Sequence, residues 1–121
     1  MAGDIQWREQ DKGVVEAQPE IFGDMVIARK DTPTSYHLSV TVDDFLQNVT
    51  LVTRGEDLRL VTHIHCLLQA LLGYDPPDYR FHSLLMGEDG QRYSKRNTSV
   101  SLKSLRDAGN TPSDIRVMVG I

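Results

Sequence analysis

The stretch Gln91-Arg92-Tyr93-Ser94-Lys95-Arg96 sets a lysine beside a serine and between arginines, in a segment from Gly90 to Arg106 that holds no acid. Lysine is a compact point charge with three donors, and arginine a planar fork, so such a loop is chemically suited to polyphosphate. In α/β proteins, loops beyond the carboxyl ends of strands are where such ligands bind. A solvated basic face is the other reading of the same residues. A second constellation, Thr53-Arg54-Gly55-Glu56-Asp57-Leu58, follows a β-rich run. Arg54 can take a carboxylate bidentately, Gly55 allows a sharp turn, and Glu56 or Asp57 can instead pair with the arginine in a plain charged turn. Tyr36 offers a phenol for hydrogen bonding. Asp43-Asp44 are adjacent, point apart if extended, and are expected to form a turn with a cap. His63 and His65, two apart on a helix, cannot share a metal, and His82 stands alone. No metal site is expected.

The elements that must carry these residues follow from periodicity. Ile5 to Glu9 and Val14 to Ala17 are β-like around the turn Asp11-Lys12-Gly13, which predicts a hairpin. Met25 to Arg29 is a further strand candidate. Tyr36, Leu38, Val40 and Val42 alternate with polar residues, which predicts a strand from Tyr36 to Val42; Val49 to Thr53 is another, rich in β-branched residues. From Val61 the period becomes helical, with Thr62 a possible cap and Gly73 before Pro76-Pro77 as the stop. Tyr79 to Met86 returns to a strand. Two short helices, Val100 to Ala108 and Pro112 to Val119, close the chain, the second with Thr111 as cap and Pro112 at its first position. This order predicts an α/β fold, with residues 1–34 forming a small β appendage and 35–121 the main layer.

At 121 residues the chain is one domain or part of one. Its net charge of −4 is uneven, −5 over residues 1–60 and +1 over 61–121, which disfavours a general nucleic-acid coat. The longest apolar run, Cys66 to Leu72, is interrupted by Gln69 and is too short to span a membrane. The start carries acids and no apolar signal segment. A single cysteine excludes an internal disulfide and suits a reducing compartment, so a cytoplasmic location is expected.

Taken in order, these pieces resemble a known family. Phe22 to Asp31, Ser35-Tyr36-His37-Leu38-Ser39-Val40-Thr41-Val42-Asp43-Asp44, Thr50-Leu51-Val52-Thr53-Arg54-Gly55-Glu56-Asp57-Leu58, the run Tyr79 to Met86 and the loop Asp89 to Arg96 are similar to successive parts of the catalytic core of class I glutamyl-tRNA synthetases. The likeness covers roughly residues 20 to 120. It implies a partial Rossmann-like core, its C-terminal half, with residues 1–34 drawn from the region between the two catalytic halves. The absence of an anticodon-binding domain after Ile121 resembles the glutamyl-Q tRNA(Asp) synthetase group, which activates glutamate with ATP and attaches it to the queuosine base of tRNA(Asp). By position, the resemblance implies that Tyr36 and Arg54 hold glutamate, and that Lys95, with Arg92 and Ser94, forms a KMSKS-type loop on ATP, Lys95 stabilising phosphate charge during adenylate formation. Arg92-Tyr93 departs from the usual lysine and apolar residue. The HIGH signature, further glutamate contacts and the zinc-binding cysteines belong to the other half of such enzymes. The expected partners are therefore glutamate, ATP with magnesium, tRNA(Asp) and the missing catalytic half, and the chain alone is expected to be inactive. A stand-alone ATP-, RNA- or partner-binding module, or a piece of an ordinary glutamyl-tRNA synthetase, is the alternative.

Overall fold

The computed structural model describes residues 5–87, 90–93 and 100–121. The chain falls into two compact units, Met1–Ser83 and Leu84–Ile121. In the first, β1 (Gln6–Glu9) and β2 (Gly13–Glu16) form the expected hairpin, with Gly13 at φ 83°. After a 3₁₀ turn at Pro19–Phe22 and an extended segment come α1 (Tyr36–Leu46), β3 (Leu51–Gly55), a 3₁₀ turn at Glu56–Leu58, α2 (Arg59–Leu72) and β4 (Asp78–His82).

The sheet runs β2-β1-β4-β3. β3 and β4 are parallel, in register from Leu51 opposite Asp78 to Gly55 opposite His82, and α2 is the crossover between them. β1 joins β4 in parallel through Glu9 opposite Tyr79, so the hairpin shares the sheet of the later residues. Trp7, Ala17, Cys66 and Tyr79 form the buried core, with Ile5, Val15, Val52 and Phe81 packed against it. Burial pushes the Cys66 thiol up to about 12, so this cysteine is a small apolar core residue rather than a nucleophile.

Two expected strands do not exist. Tyr36 to Val42 is helical. Ser35 caps α1 by accepting from the Leu38 amide, and the Thr41 hydroxyl donates back to the His37 carbonyl. The face turned inward carries His37, Thr41 and Asp44, polar residues at helical spacing that an apolar count cannot register. Packing of α1 on α2 overrides the weak β preference of Val40 and Val42. Asp43 and Asp44 consequently lie inside this helix, not in a turn. Met25 to Arg29 is extended without a sheet partner among the described residues; its carbonyl at Ile27 accepts from the Ser35 amide, and the Arg29 amide donates to the Thr32 carbonyl. Thr62 caps nothing either. It sits within α2, which begins at Arg59, and its hydroxyl donates to the Leu58 carbonyl.

α2 ends as expected at Gly73, which adopts φ 70° and ψ 30° and donates to the Ala70 carbonyl. A Cβ there would meet no atom within 4 Å, so the cost of Gly73→Ala is the left-handed backbone alone. Urea unfolding is expected to show a loss of about 1 kcal/mol, and Gly73→Asn less, because asparagine tolerates this region.

In the second unit, α3 (Leu102–Asp107) and α4 (Pro112–Val119) each open with a reciprocal cap, Ser101 with Ser104 and Thr111 with Asp114. Met86 and Arg92 form an isolated antiparallel bridge. The strand expected to run to Met86 therefore stops at His82.

Candidate functional site

Arg54 stands next to last in β3, near the carboxyl end of the two parallel strands, and is only 6% exposed. Its Nη1 donates to Thr62 Oγ1 at 3.2 Å and to His65 Nδ1 at 2.9 Å, and its guanidinium lies 5.1 Å from the centre of the Tyr79 ring. All three contacts are neutral. Among the described residues no carboxylate reaches salt-bridge distance of Arg54; the glutamate beside it in sequence, Glu56, pairs with Arg59 instead.

An arginine only donates, so His65 Nδ1 must accept, and the ring proton resides on Nε2. That proton faces His37 Nδ1 at 2.9 Å, which fixes His37 with its own proton on Nε2. A relay results: Arg54 to His65 to His37, joining β3, α2 and α1. Burial, then the nearby charge of Arg54, depresses His65 to about 3, which keeps it the neutral acceptor this relay requires. Burial likewise raises the Asp44 carboxyl above its usual range, against the pull of Arg54.

Tyr36 is the first residue of α1 and 53% exposed. Its ring is 5.8 Å from that of His65 and 5.5 Å from that of His37, both edge-on. Tyr36 and Arg54 thus both contact His65, although Tyr36 is carried by a helix and not by the sheet. Tyr36 also closes a cavity of about 240 Å³ with Val26, Ala28, Arg29 and Thr34; Arg54 is not in its wall.

Arg92 is exposed and held in the bridge to Met86. Ser94 and Lys95 lie outside the described residues. His63, the neighbour of His65 in the sequence, looks the other way, accepting from the Gln18 amide and meeting Trp7 edge-on. His65 and His37 are not legible as site residues from spacing alone: His65, two residues from His63, argues only against a shared metal, and His37 falls in a segment that alternates like a strand. The usable signal was Ser35 as a helix cap, which places His37 on the first turn of a helix facing α2.

Residues 1–120 match the model of the class I tRNA synthetases (E and Q), catalytic domain. The chain belongs to this family. It is 46% identical over 114 residues to the glutamyl-Q tRNA(Asp) synthetase of Rhodobacter capsulatus, covering 91% of this chain and 41% of that protein. It is 34% identical over 110 residues to the glutamate–tRNA ligase 2 of Syntrophus aciditrophicus, covering 91% and 23%. The chain therefore spans less than half the length of these relatives. Among solved structures, a glutamate tRNA ligase from Elizabethkingia meningosepticum, in complex with its amino acid, superposes with a TM-score of 0.63 at 22% identity, over 91% of this chain and 21% of that one. The glutamate-tRNA synthetase of Elizabethkingia anophelis gives 0.64 at 24%. This mixed α/β fold is thus that of a partial class I catalytic core. No helix among the described residues is long and apolar enough to cross a membrane.

Proposed function

We propose that this synthetase-family chain is the C-terminal half of the catalytic core of a ligase that activates glutamate with ATP and transfers it to the queuosine of tRNA(Asp), with Tyr36 and Arg54 holding the glutamate. The observation that carries the reading is Arg54: a buried guanidinium whose contacts are two neutral acceptors and an aromatic face. A buried charge with no opposite charge in direct contact is costly, and Asp44 acts on Arg54 only through space. A substrate carboxylate would supply that charge, and the Arg54–His65–His37 relay would hold the guanidinium oriented for it. Tyr36, partly exposed beside the relay, is assigned a hydrogen bond to the same ligand.

In this reading residues 1–34 come from the segment joining the two catalytic halves, and the second half of the site comes with the missing portion, as does the family's zinc site. ATP, with its magnesium, is a substrate. Lys95, with Ser94 and Arg92, is assigned to the phosphates. The higher identity to a glutamyl-Q enzyme than to the glutamate–tRNA ligase compared above favours queuosine-bearing tRNA(Asp) over tRNA(Glu) as acceptor.

The test is glutamate-dependent pyrophosphate exchange. None is expected from the chain alone. Once the N-terminal catalytic half is supplied, Lys95→Ala is expected to slow adenylate formation by roughly a hundredfold or more, with little change in the KM for glutamate. Arg54→Lys is expected to raise that KM. Lys103, paired with Asp107 on α3, is the control, and Lys103→Ala should cost little. Equal small effects at Lys95 and Lys103 would overturn the assignment of the loop. Transfer to tRNA(Glu) instead of queuosine-bearing tRNA(Asp) would overturn the acceptor.

A further inference from the structure

A cavity of about 320 Å³ opens at the other end of the parallel strands from Arg54. Its wall includes Thr50, just before β3, and Pro77, just before β4, together with residues at the ends of α1 and α2. Its chemistry is one-sided. Asp44 and Asp75 line it, and no lysine, arginine or histidine does. Both helices bring their C-terminal ends, where the backbone dipoles leave partial negative charge. Phe45 and Tyr74, also in the wall, lie parallel with ring centres 3.8 Å apart, and aromatic faces attract cations.

A second, independent feature is Gln69. It is 4% exposed and lines the same cavity. Its Nε2 donates to the Tyr79 hydroxyl, while its Oε1 has no hydrogen-bond partner among the described residues. A buried carbonyl without a donor is rare and costly. Two carboxyls, a vacant amide acceptor and an aromatic pair, with no basic group, describe a receptor for a donor-rich cation. The same negative wall repels phosphate, which excludes nucleotides and RNA.

We infer that this cavity binds an organic cation, a guanidinium or primary ammonium group, whose N–H donors engage Asp44 and Gln69 while its charge rests near Phe45 and Tyr74. The volume exceeds what a bare metal ion needs and suits a short side chain or a small amine.

The experiment is an NMR titration of the full chain, following the side-chain amide of Gln69 and the ring of Tyr74. Three probes are added separately: N-acetylarginine amide, putrescine, and N-acetylcitrulline amide, the uncharged counterpart of the first. Saturable shifts with either cation are expected, at a Kd on the order of 1 mM, and none with the citrulline probe. A stronger response to the arginine probe marks the natural ligand as a basic protein side chain, and a stronger response to putrescine marks it as a free amine. Asp44→Asn is expected to abolish the shifts. Should that variant not fold, Asp75→Asn, at an exposed position, is expected to weaken binding severalfold. Absence of saturable shifts from both cations, or equal shifts from the citrulline probe, would overturn the inference.

Discussion

Replacing Arg59 with methionine is expected to destabilise the chain by roughly 3–5 kcal/mol in urea unfolding at neutral pH. Glu9 ends β1 inside the core, with its side chain only 4% exposed. Its Oε1 accepts from Trp7 Nε1 and from Arg59 Nη1. Desolvation works against its charge, yet the bonds to Arg59 and Trp7 win and hold its carboxyl below the usual range. Arg59 is the first residue of α2, stacks 4.2 Å from the centre of Phe81 and also pairs with Glu56. It therefore ties the hairpin to the crossover helix. Methionine keeps the apolar stem against Phe81 and removes the charge, leaving Glu9 with Lys12 at 4.0 Å as its remaining ion-pair partner among the described residues. The double variant Glu9→Gln/Arg59→Met is expected to recover much of the loss, since no buried charge is then stranded. A loss under about 1 kcal/mol for Arg59→Met would mean that the pair behaves as an ordinary surface bridge.

Acid is expected to unfold the chain through His65. In the unfolded chain a histidine takes up its proton near pH 6.5, whereas in the fold His65 does so only at about 3. Between these values the unfolded state binds a proton that the folded state refuses. Stability is therefore full above pH 6.5 and declines as pH falls towards 3. The decline amounts to roughly 2 kcal/mol at pH 5 and about 4–5 kcal/mol near pH 3. His63, also depressed by burial, and Glu9, whose contribution is lost as pH falls through its lowered folded value, act in the same direction. His65→Gln separates them: glutamine can still accept from Arg54 but does not titrate. The variant is expected to show a clearly shallower fall between pH 6.5 and 5. An unchanged slope would exclude His65 as the source.

The sequence by itself determined those parts that depend on local chemistry. Asp11-Lys12-Gly13 allowed only a tight turn between two β-rich runs, and Gly13 adopts the positive φ such a turn requires. Gly73 before Pro76-Pro77 stopped α2, and Thr111-Pro112 started α4, because caps and prolines act within one turn of chain. The run after Asn48 was rich enough in β-branched residues for β3 to be legible. Family membership was legible as well, since it rests on ordered motifs. Whatever depended on contacts between distant residues was decided by the tertiary structure. Tyr36 to Val42 alternates like a strand, yet it is a helix because Ser35 caps it and α2 offers a face to pack against. The hairpin was legible as part of a small β appendage, but its partners were not: Glu9 meets Tyr79, seventy residues along the chain, and Arg59, fifty along. Arg54 was expected as a carboxylate ligand, or as part of a plain charged turn, from its type and its place after a β run. That it is buried, lacks a carboxylate partner among the described residues and is oriented by His65 and His37 follows only from bringing β3, α2 and α1 together, because burial and hydrogen-bond partnership belong to the packed chain and not to any single segment of it.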